Sequence, residues 1–312
     1  MNEQKTITKK TLIPWFIATA AAWSLGFIYN VYYGGELSWL RRMYWQKIAI
    51  AESMTDQPRL LITGGSGAHY TIDSDLLQQG LGIPVVNLGL DGPIGLDVIL
   101  PSIIDRVQSG DTVLLIPEYL LLLDDDGIGD RSSGFGIAIG KPGLGGVPIK
   151  QFLQDTIALG IPSLRAIAKS SVDARTQGKL TGYYSDPISD KGDPIVVKER
   201  QQKWWKLPIN QTISRHAYER ILQFDREVEA KGGRLILSLP WVYARDGERT
   251  TKNIKRTADF LSQIAPTIYD PDSLNIQEDV SFFADTHYHL LPKGREARAR
   301  QLVEELRPLI TE

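Results

Sequence analysis

The 312-residue sequence contains no cysteine, which excludes disulfide bonds and thiolate metal ligands. Histidine occurs only four times, so two histidines that stand close together are informative. The formal net charge is −2 and gives no reason to expect a nucleic-acid partner. No internal repeat or low-complexity tract is present, and 42% of the residues are hydrophobic. These values are typical of a folded protein with one large domain or two small ones.

Charged residues are also absent from positions 11–35. About 20 apolar residues, at about 1.5 Å each, span the hydrocarbon core of a bilayer. Trp15 near one end and Tyr33 near the other suit the two interfaces. We therefore predict a transmembrane anchor at 11–35, preceded by a polar tail at 1–10. A cleavable signal peptide and a buried core helix are the alternatives, although the run is long for a signal peptide and no small-x-small cleavage site follows.

Basic residues flank this run on both sides, and they are Lys5, Lys9 and Lys10 before it and Arg41, Arg42 and Lys47 after it. The early lysines usually dominate when the N-terminal tail is short, so we predict a cytoplasmic N-terminus. The remainder of the chain would then be periplasmic or extracellular. Residues 36–57 read as an amphipathic juxtamembrane helix, which lies near the membrane surface or packs beneath the following domain.

Strands alternate with helical patterns in the rest of the chain. Apolar runs of strand length begin at Arg59, Ile83 and Thr112, and each ends in a turn. The pattern breaks down at 124–208, which is rich in glycine and proline, and it resumes after Pro208. Alternating strands and helices predict βαβ units and a mostly parallel sheet over residues 58–312. The irregular stretch predicts an insertion or lid.

The turn after the first strand reads Gly64-Gly65-Ser66-Gly67. The carboxyl edge of a parallel sheet is where open α/β folds bind ligands, and the start of a following helix favours an anion there. Ser66 is therefore a candidate nucleophile. A structural turn or a phosphate cradle is the alternative. The stretch is not a P-loop, because no Gly-Lys-Ser/Thr follows, and Ala68 prevents a match to G-x-S-x-G.

Two of the four histidines stand with an aspartate just before the final helical stretch, at Asp285, His287 and His289. A hydroxyl nucleophile needs a base within hydrogen-bond reach, and the base needs an orienting carboxylate. One loop could supply both. The alternating spacing would also let the three side chains share one face and bind zinc, but that ligand set lacks a fourth group. We predict no metal and no cofactor.

Together these blocks resemble the SGNH/GDSL hydrolase superfamily. More narrowly, the chain resembles membrane-anchored SGNH-like proteins related to bacterial envelope polysaccharide O-acetyltransferases. The resemblance runs from Arg59 to the C-terminus, apart from the insertion. The matching blocks are Gly64-Gly65-Ser66, Asn87-Leu88-Gly89-Leu90-Asp91-Gly92, and His289-Leu290 with Gly294.

The resemblance implies a three-layer α/β/α fold with a mostly parallel, flavodoxin-like sheet. It implies an acyl-enzyme formed through Ser66, with His289 as base and Asp285 as its orienting carboxylate. Backbone N–H groups of Ser66 and Gly92 would stabilise the oxyanion. The residues expected to line this site are Gly65, Asn87, Glu118 and His69, of which His69 could instead lie on the surface of the following helix.

The chain departs from the family pattern at two places. Asp285 lies four residues before His289 rather than three, so either a one-residue bulge absorbs the difference or His287 is the base. The third block, Gly-x-Asn-Asp, is absent, and Glu118 and Tyr119 stand in its place. An ionised glutamate cannot donate to an oxyanion. Tyr119, a bound water or a protonated Glu118 would have to substitute.

The resemblance implies a membrane-anchored serine esterase or O-acyltransferase that acts on an acylated envelope polysaccharide or similar glycan. A multispan membrane O-acyltransferase that delivers acyl groups is the expected partner. The alternative is a catalytically inactive glycan-binding or scaffold subunit of an envelope-polymer acylation complex. A phosphate or nucleotide binder that uses the turn at 64–67 is a third hypothesis, and it leaves the histidine loop unexplained.

Overall fold

The structure is a computed structural model that describes residues 9–54, 57–178, 187–197 and 206–310. The predicted tail at 1–10 lies outside the described residues except for Lys9 and Lys10, which begin the first helix. The predicted insertion at 124–208 is described only in part.

The helices of the described chain are α1 (Lys9–Ile28), α2 (Glu36–Ser53), α3 (Ser66–His69), α4 (Ser74–Leu81), α5 (Leu96–Ile103), α6 (Tyr119–Leu122), α7 (Ser132–Ala138), α8 (Ile149–Leu159), α9 (Leu164–Gln177), α10 (Arg215–Ala230), α11 (Glu248–Leu261) and α12 (Pro292–Ile310). The strands are β1 (Leu60–Gly64), β2 (Val85–Asn87), β3 (Thr112–Ile116), β4 (Arg234–Ser238) and β5 (Thr267–Ile268). Gly160 and Pro162 separate α8 from α9.

The strands form one sheet in the order β2-β1-β3-β4-β5, and every neighbouring pair is parallel. This order is the flavodoxin-like arrangement of doubly wound folds. The predicted α/β class with a mostly parallel sheet is therefore confirmed. In such a fold the crevice outside the carboxyl ends of the strands is the expected ligand site.

Helices cover both faces of the sheet. Leu60 and Ile62 of β1 pack in one core cluster with Leu77 of α4 and Leu302 of α12. Strand side chains alternate between faces, so Leu61, which is equally buried, points to the opposite side. There α5 contacts β1 and α10 contacts β4. The arrangement is three layers of α, β and α.

A buried ion pair joins the starts of β1 and β3. Arg59 Nη2 lies 2.6 Å from Asp111 Oδ2, and both side chains are inaccessible to solvent. Backbone hydrogen bonds reinforce the pair, since Arg59 N donates to Asp111 Oδ1 at 3.1 Å and Thr112 N donates to Arg59 O at 2.8 Å. The pair therefore aligns the two strands whose opposite ends carry Ser66 and Glu118.

The chain divides into two units. The larger unit is the α/β unit and comprises Arg42–Ser132, Gly143–Val147 and the described residues of Asp186–Glu312. The smaller unit comprises the described residues of Met1–Arg41, Ser133–Pro142 and Pro148–Ser185. Part of the predicted insertion therefore belongs to the unit that contains the N-terminal helix.

The second half of α2 belongs to the α/β unit. Tyr44 Oη donates to the backbone oxygen of Ser102 at 2.9 Å, and Lys47 Nζ donates to that of Asn87 at 2.8 Å. Tyr44 and Lys47 are both buried. This half of the helix therefore packs against the sheet layers.

In the smaller unit, α1 continues through a π-helical turn at Tyr29–Tyr33. Leu12–Tyr33 is the one helical stretch of the described chain that is long and apolar enough to cross a membrane, with a mean hydropathy of 1.5. Tyr29 Oη at its end donates to Ser170 Oγ of α9 at 2.7 Å.

Candidate active site

Ser66 begins α3 directly after β1, at the carboxyl edge of the sheet. Gly64 makes the turn with a φ of 145°, and a Cβ there would lie 2.3 Å from the carbonyl oxygen of Ile116. Only glycine fits this position. Ser66 is half-buried, whereas Gly65 and Gly67 on either side are fully buried. The turn therefore presents the serine at an accessible edge.

The helix that Ser66 begins is only four residues long. Asp73 Oδ1 accepts a hydrogen bond from Leu76 N at 3.0 Å and begins α4 as a separate helix. The helix expected after the serine turn thus ends at His69. Since the helix dipole sums over aligned peptide units, α3 contributes less to anion binding than one long helix would.

Glu118 lies against Ser66. Gly64 pairs with Ile116 across β1 and β3, so Glu118, two residues beyond, arrives beside the serine turn. Ser66 Oγ donates to Glu118 Oε1 at 2.7 Å, and Gly67 N donates to the same oxygen at 2.5 Å. The sequence predicted Glu118 only as a lining residue. The structure makes it the direct partner of the candidate nucleophile.

Glycines leave room for the Glu118 carboxyl group on three sides. A Cβ on Gly65 would lie 2.0 Å from Glu118 Oε2, and one on Gly67 would lie 2.6 Å from Glu118 Cγ. A Cβ on Gly92 would lie 3.0 Å from Oε2. The structure therefore brings together Ser66, Gly65, Gly92 and Glu118.

The Glu118 side chain is completely buried. Burial raises the pKa of its carboxyl group, and the hydrogen bonds from Ser66 and Gly67 oppose part of that rise. Oε1 accepts both hydrogen bonds, while Oε2 has no hydrogen-bond partner among the described residues. In a neutral Glu118 the proton would therefore sit on Oε2, where it is free to be donated.

Asp285 and His289 form a close pair in the loop before α12. His289 Nδ1 lies 2.7 Å from Asp285 Oδ1, and the histidine side chain is 12% exposed. Thr286 Oγ1 accepts hydrogen bonds from the backbone N–H groups of Tyr288 and His289, and Ala284 N donates to His289 O at 2.8 Å. This tight turn accommodates the four-residue spacing between the carboxylate and the imidazole.

Tyr70 connects this loop to the serine turn. Its ring lies 4.2 Å from the His289 ring, and its backbone N donates to Ser66 O at 2.9 Å. Leu290 N donates to Tyr70 O at 3.4 Å. His289 Nε2 is buried and has no hydrogen-bond partner in the described chain. An imidazole that donates through Nδ1 to a carboxylate presents an acceptor at Nε2, which is the arrangement a general base requires.

His287, the alternative base, is held by its backbone. Its carbonyl oxygen accepts a hydrogen bond from Tyr243 N at 2.9 Å, and its ring lies 6.4 Å from that of Tyr288. Asp285 and the tilted ring of Tyr70 contact His289 instead.

Tyr119 contributes to the site through its backbone. Tyr119 N donates to Tyr288 Oη at 3.2 Å, which ties the end of β3 to the histidine loop. The Tyr119 hydroxyl is buried without a hydrogen-bond partner among the residues described. Burial raises its pKa, so this phenol remains neutral. Tyr70 and Tyr288 were not identified from the sequence, because nothing in their local pattern distinguishes them from core tyrosines.

Asn87 belongs to a buried polar network behind the site. Its Oδ1 accepts from Gly89 N at 2.9 Å, and its Nδ2 donates to Asp193 Oδ1 at 2.9 Å. Lys47 Nζ also contacts Asn87 Oδ1 at 3.2 Å. The predicted site-lining residue therefore shapes the turn that leads to Gly92.

His69 is completely buried, so the alternative that places it on a helix surface is wrong. Burial lowers the pKa of its imidazole well below the usual value, and Lys47 lowers it further. Neither ring nitrogen has a hydrogen-bond partner in the described chain. His69 is therefore a neutral imidazole beneath Tyr70, whose ring lies 4.4 Å from it.

Metal ligation was the competing interpretation of the histidine loop. Within the described ranges, no group of three or more histidine, aspartate or glutamate side chains is arranged to hold a metal ion.

No protein-family model and no curated protein matches the chain. In overall structure it is similar to a lipase/acylhydrolase from Enterococcus faecalis, with a TM-score of 0.40 and 11% identity over 81% of this chain and 97% of that one. It is also similar to a Streptococcus pneumonia protein provisionally described as a platelet activating factor, with a TM-score of 0.37 and 15% identity over 86% and 94% of the two chains.

Proposed function

We propose that this protein is a membrane-anchored, SGNH-like serine esterase or O-acyltransferase. The observation that carries the proposal is the Asp285–His289 pair, with its unoccupied Nε2, next to the turn that presents Ser66. In this proposal Ser66 is the nucleophile, His289 is the base and Asp285 is its orienting carboxylate.

The first half-reaction would begin when the Ser66 hydroxyl turns from Glu118 to His289. Ser66 Oγ then attacks the carbonyl carbon of an acyl ester while its proton passes to His289 Nε2. Collapse of the tetrahedral intermediate transfers the acyl group to Ser66. The leaving alcohol departs with the proton from His289. Asp285 holds the imidazole in the required tautomer and stabilises the transient imidazolium.

The second half-reaction would run the same steps in reverse with a new hydroxyl group. His289 takes a proton from the acceptor, the acceptor oxygen attacks the acyl carbon, and Ser66 leaves with its proton restored. Water as acceptor gives an esterase, and a sugar hydroxyl gives an O-acyltransferase.

Protonated Glu118 would serve as the third oxyanion donor, beside the backbone N–H groups of Ser66 and Gly92. Its buried position favours the neutral form, and the free Oε2 lies next to Gly92. Glu118 would then replace the asparagine of the family's third block as an oxyanion donor, because a neutral carboxyl group can donate a hydrogen bond and a carboxylate cannot.

The substrate we propose is an acylated envelope polysaccharide or similar glycan. The family resemblance and the apolar stretch Leu12–Tyr33 support this choice. With the N-terminus cytoplasmic, the α/β unit would face the periplasm or the exterior. A multispan membrane O-acyltransferase would be a natural source of acyl groups there.

The test is the Ser66→Ala variant of the full chain in detergent micelles, assayed with a chromogenic acetate ester. We expect turnover to fall to the uncatalysed background, and labelling by a serine-reactive fluorophosphonate to disappear. Ser53→Ala, an exposed serine on α2, is the matched control and keeps both activities. Unchanged turnover in Ser66→Ala would eliminate Ser66 as nucleophile.

One observation favours a second candidate function, a catalytically inactive glycan-binding or scaffold subunit. Ser66 Oγ is hydrogen-bonded to Glu118 rather than to His289. A subunit of this kind would bind an envelope glycan saturably, and the wild-type chain would not react with the fluorophosphonate. Labelling of the wild type at Ser66 excludes it.

A further inference from the structure

Helix α8 exposes a row of large apolar side chains. Ile149, Leu153 and Ile157 are spaced by four residues, so they lie on one face of the helix. Ile161 and Leu164 follow at the junction with α9 and are also exposed. Each of the five is more than half exposed, from 54% at Leu153 to 85% at Leu164. We call these five residues the α8 stripe. A row of this kind in a water-soluble protein normally faces a core.

The end of α8 packs against the apolar helix α1. Trp23 Nε1 donates to the backbone oxygen of Ile157 at 2.9 Å. A Cβ on Gly26 would lie only 2.0 Å from the backbone oxygen of Gly160, so the two backbones approach closely there. Asn30 Nδ2 donates to a further carbonyl at this end of α8. The stripe is therefore attached to the stretch that is apolar enough to cross a membrane.

The position of these contacts along α1 gives the depth at which they would lie in a bilayer. The apolar stretch ends at Tyr33, and Asn30 and Trp23 stand three and ten residues before it. At about 1.5 Å per residue, the contacts lie roughly 5–15 Å inside that end of the span. Amphipathic helices in a membrane interface bury their apolar face to a similar depth, about 5–10 Å.

The polar residues of α8 and α9 have an excess of positive charge. The charged residues between positions 148 and 178 are basic Lys150, Arg165, Lys169 and Arg175 and acidic Asp155 and Asp173. Basic residues beside an apolar face are typical of helices that bind anionic lipid surfaces.

We propose that α8 and the start of α9 form an interfacial membrane element, and that the α8 stripe enters the same leaflet as the C-terminal end of α1. The occupant of the exposed face is lipid. Leu25, at the same level of α1, is 68% exposed and would meet the same acyl chains. The inference rests on the proposed membrane anchor but not on the chemistry of Ser66.

The absence of native cysteine permits a direct test. Three single-cysteine variants of the full chain, Ile157→Cys, Leu25→Cys and Lys252→Cys, carry a nitroxide spin label. The label at Leu25 tests whether the anchor contacts lipid. The label at Lys252, which is exposed on α11 of the α/β unit, is the reference for contact with water. Each protein is reconstituted into vesicles of phosphatidylethanolamine and phosphatidylglycerol. Relaxation of the label by oxygen, which concentrates in lipid, is compared with relaxation by a water-soluble nickel chelate.

We expect the labels at Ile157 and Leu25 to relax mainly with oxygen and the label at Lys252 mainly with nickel. Lipid contact at Leu25 with water contact at Ile157 would overturn the interfacial element and leave the anchor intact. Water contact at Leu25 would overturn the anchor itself. Shielding of Ile157 from both reagents would show that protein, either a second copy or a partner, covers the stripe, and that result also overturns the proposal.

Discussion

Ser66 Oγ donates its hydrogen bond to Glu118 Oε1 at 2.7 Å, and the two groups reach each other from the ends of adjacent parallel strands. The candidate nucleophile is thus held by a buried carboxyl group in this state, while Nε2 of His289 has no hydrogen-bond partner among the described residues. The variants below test the role of each of these groups.

Substitution of Glu118 distinguishes a neutral donor from an anionic base. Glu118→Gln keeps one acceptor for Ser66 and provides an amide donor near Gly92, so esterase activity should be retained. Glu118→Ala removes the donor, and turnover should fall by about 10²–10³-fold. Both are measured as kcat with the acetate ester. Loss of activity in Glu118→Gln would show instead that an ionised Glu118 is required.

The same substitution has an effect on stability with a defined sign. Burial raises the pKa of Glu118 in the folded state, so its contribution to the free energy of unfolding is fully present below the pKa of the unfolded chain. The contribution is lost as the pH rises through the pKa of the folded state. Glu118→Gln should remove this loss. Chemical unfolding as a function of pH measures the difference, with exposed Glu304→Gln on α12 as control. Parallel profiles for wild type and Glu118→Gln would contradict the expectation.

Histidine substitutions identify the base. His289→Ala should lower kcat by about 10²–10⁴-fold, the usual contribution of general base catalysis. His287→Ala should leave kcat close to wild type, because the loop holds His287 through its backbone carbonyl. Asp285→Asn should lower kcat less than His289→Ala, since its carboxylate is 42% exposed. Equal losses in the two histidine variants would overturn the assignment.

Lys47 should make folding stability rise with pH. Burial lowers the pKa of Lys47 to about 7 from its usual 10.5, and Asp193 opposes part of this shift. Between these values the unfolded chain holds a proton that the folded chain lacks, so the free energy of unfolding increases with pH by at most about 1.4 kcal/mol per unit.

Lys47→Met should remove this slope, and denaturant unfolding from about pH 7 to 10 would measure it. The exposed Lys252→Met is the matched control and should keep the wild-type slope. An unchanged slope in Lys47→Met would contradict the lowered pKa.

The buried Arg59–Asp111 pair should be essential for stability. Arg59→Met leaves the Asp111 carboxylate buried without its charged partner, which typically costs about 3–5 kcal/mol. The surface pair of Arg300 and Glu296 on α12 offers a control, since Arg300→Met should cost at most about 1 kcal/mol. Both values come from denaturant unfolding in the same detergent. A loss below 1 kcal/mol in Arg59→Met would show that water or a rearranged side chain compensates Asp111.

The sequence by itself determined the α/β class and the parallel sheet, because apolar runs of strand length that end in turns report on local backbone geometry. The same local logic made Ser66 a candidate, through its glycine neighbours, and likewise the group of Asp285, His287 and His289, through the rarity of histidine. The apolar run of α1 was equally visible, since membrane-spanning length is a property of consecutive residues.

Only the tertiary structure decided which groups meet. Glu118 reaches Ser66 because β1 and β3 are adjacent and in a particular register, and the Tyr70 ring contacts that of His289 across more than 200 residues of chain. Burial, which raises the pKa of Glu118 and lowers the pKa values of Lys47 and His69, is likewise a property of the packed layers. Composition and spacing carry no information about such long-range contacts, because they arise from strand order and packing rather than from neighbours in the sequence.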